Sequence, residues 1–383
     1  VKAIKFKSKS FIDAFGSRSL PECDIKLLAY MLSEGHVKKH LFFTNSDPDI
    51  VTDFKRAVSD FQSELCVTRV GEIEYKINSK FEKRRFLGCD FAHNEKGQFS
   101  KGGCVRFEKR RIRKFFEKHE LYGKLSREKF ISEGIFRLPK YQLALFLNRL
   151  FSCDGSIYYS NGWEVSYSSM SEQLVRQVQH LILRYGVLSK VRSKSVKLNG
   201  KVFTAYEFVV NSENVDRFIQ SIGFFGKKAV KQIQALRENA LIKRNPNIDT
   251  IPKEIWDIYR PKSWVAAGEA LGYCSPKAAR SAIDYSPSRQ KLLTIAITDQ
   301  NTAIRKLAES DIFWDEIESI EPESGNFEVF DISVPKLHNF VANDIIVHNS
   351  YTLGVIAEGI AQLEPEVRDR LSVLMLDTMG IYW

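Results

Sequence analysis

The chain carries one pattern twice: a mostly apolar helical run that ends in an acid followed by glycine. The first copy runs from Ile25 to Leu32 and stops at Ser33-Glu34-Gly35; the second runs from Tyr141 to Phe151 and stops at Ser152-Cys153-Asp154-Gly155. A helix that is apolar on every side has to be buried. Glycine is the usual residue where a helix stops in a left-handed conformation, so both glycines are expected to adopt it. The segments after the two helices repeat as well. After Gly35 come extended residues 36–44, an amphipathic helix over 47–65 and a second extended stretch over 66–78; after Gly155 come extended residues 156–168, a helix over 171–185 and extended stretches over 191–196 and 202–210. The two acids lie 120 residues apart. A period that long indicates a duplicated subdomain, because solenoid repeats are far shorter.

Charge narrows the range of partners. The formal net charge is +10, but residues 311–349 carry −8 and residues 350–383 carry −3, which leaves +21 on residues 1–310. Runs such as Lys83-Arg84-Arg85 and Lys109-Arg110-Arg111 suit a surface that follows a phosphate backbone. The six cysteines form no C-x-x-C pair, so neither a zinc site nor a disulfide framework is signalled. With no apolar run of membrane-spanning length and no signal-peptide pattern, the expectation is a cytoplasmic protein without a membrane partner.

The segments LLAYMLSEG and LALFLNRLFSCDG resemble the two signature helices of LAGLIDADG homing endonucleases. That resemblance implies an α+β fold of two αββαββα-like halves over residues 21–245, working as a monomer on double-stranded DNA. It also implies that Glu34 and Asp154 are catalytic and hold Mg²⁺, which activates water and stabilises charge on the phosphate. The family places a basic residue beside the scissile phosphate, and Lys38, Lys190, Lys194 and Lys201 are all candidates. Residues 246–310 read as short helices over 253–259, 264–271, 276–282 and 289–296. With a tight turn over 272–275 and with Lys277 and Arg280, they resemble a helix-turn-helix DNA-binding segment, although a helical spacer fits equally well.

Residues 327–350, FEVFDISVPKLHNFVANDIIVHNS, alternate apolar and polar residues as strands do, with turns near Pro335-Lys336 and Asn343-Asp344. They are similar, position for position, to the C-terminal splicing motifs of inteins, whose Hint domain supplies the β fold of residues 311–349. The chemistry needs these residue types. The side-chain amide of Asn349 can attack its own carbonyl and cut the bond after it. Ser350 has the hydroxyl that carries a transferred chain. His338 and His348 are imidazoles suited to acid–base work near neutrality, and Asp331 matches the family's acid that positions the nucleophile.

The intein resemblance makes residues 1–20 a linker from a missing N-terminal splicing half, since the chain opens on Val1 and residues 1–20 hold no Thr-x-x-His. That half is then a partner. Residues 350–383 read as a helix and then an apolar strand ending in an acid, the order found after Gly-Lys in a P-loop. They resemble the start of a HerA/FtsK/VirB4-like ATPase, the extein that the intein interrupts. The functional expectation is an intein fragment that combines site-specific double-strand DNA cleavage with the asparagine-cyclisation half of protein splicing, the latter needing no cofactor. The alternatives are a DNA-binding endonuclease fold that no longer cleaves, and a split-intein half that acts only in trans.

Overall fold

The structure is a computed structural model. It describes residues 2–6, 15–38, 40–80, 104–198, 200–211, 213–241, 249–273, 275, 280–317, 319–322, 324–326, 334, 339–348 and 364–368. The chain divides into two compact units, residues 7–311 and a second unit made of residues 1–6 with 312–383. Strand β1 (Lys2–Phe6) opens the chain and belongs to the second unit.

The larger unit contains the duplicated pattern. In the first repeat, α1 (Glu22–Ser33) leads into β2 (Gly35–Val37) and β3 (Leu41–Thr44), then α2 (Pro48–Phe61), β4 (Leu65–Arg69), β5 (Glu74–Ser79) and α3 (Cys104–Lys118). A short α4 (Glu133–Phe136) joins it to the second repeat: α5 (Lys140–Asp154), β6 (Gly155–Tyr159), β7 (Trp163–Ser169), α6 (Glu172–Leu183), β8 (Lys190–Leu198), β9 (Lys201–Val210) and α7 (Glu213–Ser221). Each repeat folds one antiparallel four-stranded sheet, ordered β2-β3-β5-β4 and β6-β7-β9-β8. The fold is thus mixed α and β, with the same order of elements in both halves.

Local chemistry accounts for the helices. In α1 every residue from Ile25 to Leu32 is buried, because this helix packs against both α5 and α2 and has no solvent side. The α2 helix instead buries one stripe, Ile50, Val51, Phe54, Ala57, Val58 and Phe61, at the three- and four-residue spacing of an amphipathic helix. Its N-terminus is fixed by Pro48 in the first turn and by the Asp47 side chain, which accepts from the Asp49 N–H. Ser171 caps α6 in the same way by accepting from the Leu174 N–H. One continuous apolar core joins the two repeats.

Neither Gly35 nor Gly155 is left-handed, contrary to the expectation from sequence. Gly155 has φ −76° and ψ 160°, Gly35 is not among the glycines of positive φ, and each glycine begins a strand. Close approach explains them instead: a Cβ at Gly35 would lie 2.4 Å from the Met31 carbonyl oxygen, and one at Gly155 would lie 2.7 Å from Phe151.

Past α8 (Lys228–Asn239) come α9 (Ile255–Ile258), α10 (Trp264–Ala270), α11 (Arg289–Thr298) and α12 (Thr302–Glu309). Trp256 is buried among them, and Arg289 pairs with Asp249 at 2.7 Å. The turn expected after Leu271 is present, with Gly272 at φ +72°. Lys277 lies outside the described residues, and Ser281–Asp284 is a short 3₁₀ turn.

In the second unit, β10 (Ile312–Glu316), β1, β12 (Ile345–His348) and β11 (Asn339–Ala342) form a sheet in that order. Strand β1 pairs antiparallel with β10 from Lys2↔Glu316 to Phe6↔Ile312, and with β12 at Lys5↔Ile345. Within residues 1–20, expected to be a linker, Lys2–Phe6 is a strand with a neighbour on each side. The β11–β12 hairpin closes through Asn343 and Asp344, both at positive φ (48° and 66°), where Asn and Asp are among the residues that tolerate it. The turn expected at Pro335-Lys336 lies outside the described residues. A four-residue helix, α13 (Pro365–Arg368), is described in the C-terminal segment. No helix among the described residues is long and apolar enough to cross a membrane.

Candidate active site

Two helix ends meet in the larger unit. Glu34 caps α1, its N–H donating to the Tyr30 carbonyl at 3.1 Å, and Asp154 is the last residue of α5. Because α1 and α5 pack side by side, the two carboxylates come close enough to act on each other. Burial, followed by the Glu34 charge, pushes the Asp154 carboxyl up to about 7. Burial also raises Glu34, opposed by a hydrogen bond from the Asn45 side chain and by the ammonium groups of Lys228 and Lys129. Asn45 donates to Glu34 Oε2, and its Nδ2 lies 3.9 Å from the Cys153 Sγ of the other repeat. No hydrogen bond to the Asp154 carboxylate is present among the described residues.

A helix C-terminus exposes carbonyls without intrahelical partners and carries partial negative charge. Here each end receives a lysine. Lys129 Nζ donates to the carbonyls of Ser33 and Gly35, both at 3.0 Å, at the end of α1. Lys228 Nζ donates to Ser152, Cys153 and Gly155, each at 2.7 Å, at the end of α5. Burial lowers the pKa of both lysines, against the pull of the two carboxylates. Two acids and two ammonium groups thus sit together at the pseudo-symmetric ends of two packed helices. Such a cluster can bind a cation through its hard oxygens and offer positive charge to an anion beside it.

The lysines at this site were not among the candidates read from sequence. Lys194 is engaged elsewhere, pairing with Glu207 at 3.0 Å; Lys190 lies on β8, Lys38 comes directly after β2, and Lys201 begins β9. Lys129 and Lys228 stand 95 and 74 residues after the acids of their repeats, too far for any local pattern to flag. Their shared place at the end of each repeat is the one signal that could have found them. On β8, Lys190, Arg192 and Lys194 alternate and so share one face of the sheet. Arg192 and Lys194 both reach Glu207 of β9. Burial would raise Glu207, but these two cations outweigh it and hold its carboxyl below the usual range.

Of the other predicted residues, His348 ends β12 opposite Asn339. Asp331, His338, Asn349 and Ser350 lie outside the described residues. No cluster of three or more potential metal-ligating side chains is present among the described residues.

Residues 142–223, which run from α5 to the turn after α7, match the LAGLIDADG-like domain. The replicative DNA helicase DnaB of a Synechocystis species is 34% identical over 254 residues, covering 63% of this chain and 29% of the helicase. That of Rhodothermus marinus is 33% identical over 245 residues, covering 60% and 25%. The protein RecA of Mycobacterium tuberculosis is 25% identical over 372 residues, covering 88% of this chain and 43% of that protein. The chain therefore spans less than a third of the DnaB relatives. Among solved structures, the match to I-DmoI in complex with DNA and Mn covers 53% of this chain and 96% of that one, at 10% identity and a TM-score of 0.31.

Proposed function

We propose that the two-repeat unit is a homing endonuclease that cuts both strands of duplex DNA at a specific site. The observation that carries this reading is the meeting of Glu34 and Asp154 with Lys129 and Lys228, inside a unit whose second repeat matches the LAGLIDADG-like domain. The donor set fits Mg²⁺: two carboxylates are the protein share that this ion commonly takes, with water and substrate phosphate oxygens completing its shell. Burial first, and the Glu34 charge after it, disfavour the ionised Asp154 carboxyl, and a bound cation would offset both. Glu34 and Asp154 would hold Mg²⁺, which when bound would supply Lewis-acid stabilisation of the phosphate and a more acidic water. The chain's own groups do the rest. Lys129 and Lys228 offset charge that builds on the phosphate and hold both helix ends rigid. Lys190, Arg192 and Lys194 lie along one sheet face, where phosphates and base edges come within reach.

The deciding experiment offers supercoiled plasmid with Mg²⁺ to the unmodified chain and to Glu34→Gln and Asp154→Asn variants. Each variant should lose cutting by about a hundredfold or more, the scale set by removing a group that stabilises transition-state charge. Undiminished cutting by Asp154→Asn would falsify the assignment. The rival reading, a DNA-binding fold without cleavage, predicts binding by all three proteins and cutting by none.

A second activity is proposed for the smaller unit: the C-terminal half of protein splicing, with Asn349 cyclising, Ser350 as the receiving nucleophile, His338 and His348 as acid–base groups and Asp331 positioning the nucleophile. Its support is the run of intein-like motifs from Phe327 to Ser350, together with the hairpin that delivers His348 directly before Asn349. An N-terminal splicing half is its partner. On this reading residues 350–383 begin a P-loop ATPase extein, in keeping with DNA-helicase and RecA relatives.

A further inference from the structure

The backbone at or beside each helix-end lysine is held by the opposite repeat, at Lys129 itself and at Lys227, one residue before Lys228. Asp47, the N-cap of α2 in the first repeat, accepts from the Asp49 N–H at 3.0 Å, and its other carboxylate oxygen accepts from the backbone N–H of Lys227 at 2.7 Å, in the second repeat. Ser171, the N-cap of α6 in the second repeat, accepts from the Leu174 N–H at 3.2 Å and donates to the Lys129 carbonyl at 2.7 Å, in the first. The two caps occupy equivalent places, each with its own N–H held by the side chain two residues before it, Asn45 at 2.8 Å and Ser169 at 3.2 Å. Both are buried. Gly226 permits the first contact: it has φ +68°, and a Cβ there would lie 2.4 Å from Asp47 Oδ2.

Capping explains one bond of each residue. It does not explain the other, whose partner is no part of the capped helix. The second bond recurs although its polarity reverses, Asp47 accepting from an N–H and Ser171 donating to a carbonyl. A continuous path runs from Glu34 to the end of α5: Glu34 to Asn45, Asn45 to Asp47, Asp47 to Lys227, and next along the chain Lys228, whose ammonium closes the helix bearing Asp154.

We propose that Asp47 and Ser171 are positioning residues for the DNA-cleaving centre, cross-repeat latches that set Lys228 and Lys129, so that each acid–lysine set is complete only when the other repeat is docked. This rests on the endonuclease reading above. Loss of one latch frees one lysine, and the two DNA strands are then cut unequally.

The test uses variants that keep the cap and lose the latch. Asp47→Ser still accepts from the first turn but is too short to reach Lys227; Ser171→Asp still accepts but cannot donate to Lys129. The probe is a supercoiled plasmid carrying a site selected, from a random-insert library, for cleavage by the unmodified chain. Asp47→Ser should accumulate nicked circles, with one strand cut about tenfold more slowly than the other, and Ser171→Asp should leave its nick in the opposite strand. Amide exchange supplies a readout independent of activity. Asp47→Ser should speed exchange at Lys227, and Ser171→Asp should speed it at Ile131, whose N–H donates to Gln177 of α6 at 2.7 Å. Equal slowing of both strands, or unchanged exchange in the opposite repeat, overturns the proposal. An unmodified protein that cuts neither strand overturns the endonuclease reading, while the exchange result still decides whether the latch crosses between repeats.

Discussion

Asp53 illustrates how one residue ties the repeats together away from the acids. It sits in α2, yet it accepts from Lys26 Nζ at 2.8 Å and Tyr30 Oη at 2.7 Å on α1 and from Arg149 Nε at 2.8 Å on α5. Burial alone would raise its pKa, but these three donors outweigh burial and hold its carboxyl below the ordinary aspartate value of 3.8. A depressed folded pKa gives stability that is present in full well above that value and is lost as pH falls through it toward the folded value. Asp53→Asn should therefore destabilise the protein by about 3 kcal/mol at neutral pH, because two cations are left beside a neutral amide. The deficit relative to the unmodified chain should shrink as pH drops below about 4. Denaturant melts at pH 7 and pH 3.5 measure both, and a deficit independent of pH would mean that the ion pairs contribute little.

At the scale of the element, the glycines directly after α1 and α5 set how closely each strand can turn back on its helix. Gly35→Ala should destabilise more than Gly155→Ala. The first pushes a methyl against backbone at 2.4 Å, whereas the second meets a Phe151 side-chain atom, as well as its carbonyl oxygen, at 2.7 Å; overpacking of this kind typically costs about 1–3 kcal/mol. Thermal melts of the two variants check the order, and the reverse order would show that helix α1 relaxes more easily than α5. The elements themselves were legible in sequence wherever the signal is local. The run from Ile25 to Leu32 announces a buried helix, and the stripe from Ile50 to Phe61 an amphipathic one. The features that were not legible depend on distant partners. Gly35 and Gly155 look like left-handed caps until the returning strand is seen. Lys2–Phe6 looks like a linker until Ile312–Glu316 lies beside it. Lys129 and Lys228 are ordinary lysines until the chain carries them back to helix ends fixed 95 and 74 residues earlier.

For the molecule as a whole, the division of charge makes the final prediction. Residues 7–311 carry +18, while residues 1–6 together with 312–383 carry −8, so the proposed DNA-binding unit and the proposed splicing unit differ in sign. A long polyanion should then meet the protein through the larger unit. Counterions leave the duplex as lysines and arginines take their places, so the logarithm of the affinity falls linearly with the logarithm of salt, with a slope of about −0.9 per phosphate neutralised. About four phosphate contacts suffice to weaken binding roughly a hundredfold between 50 and 200 mM salt. Fluorescence anisotropy with a labelled duplex, titrated at several salt concentrations, gives the slope directly. Replacing Lys190 with Ala should reduce the slope by about one if that residue touches a phosphate. Glu207→Gln should steepen it instead, because Arg192 and Lys194 would no longer be engaged by a carboxylate within the sheet. A slope near zero for the unmodified chain would mean that the basic face serves only solubility, and no arrangement of Glu34 and Asp154 would then make this protein a nuclease for duplex DNA.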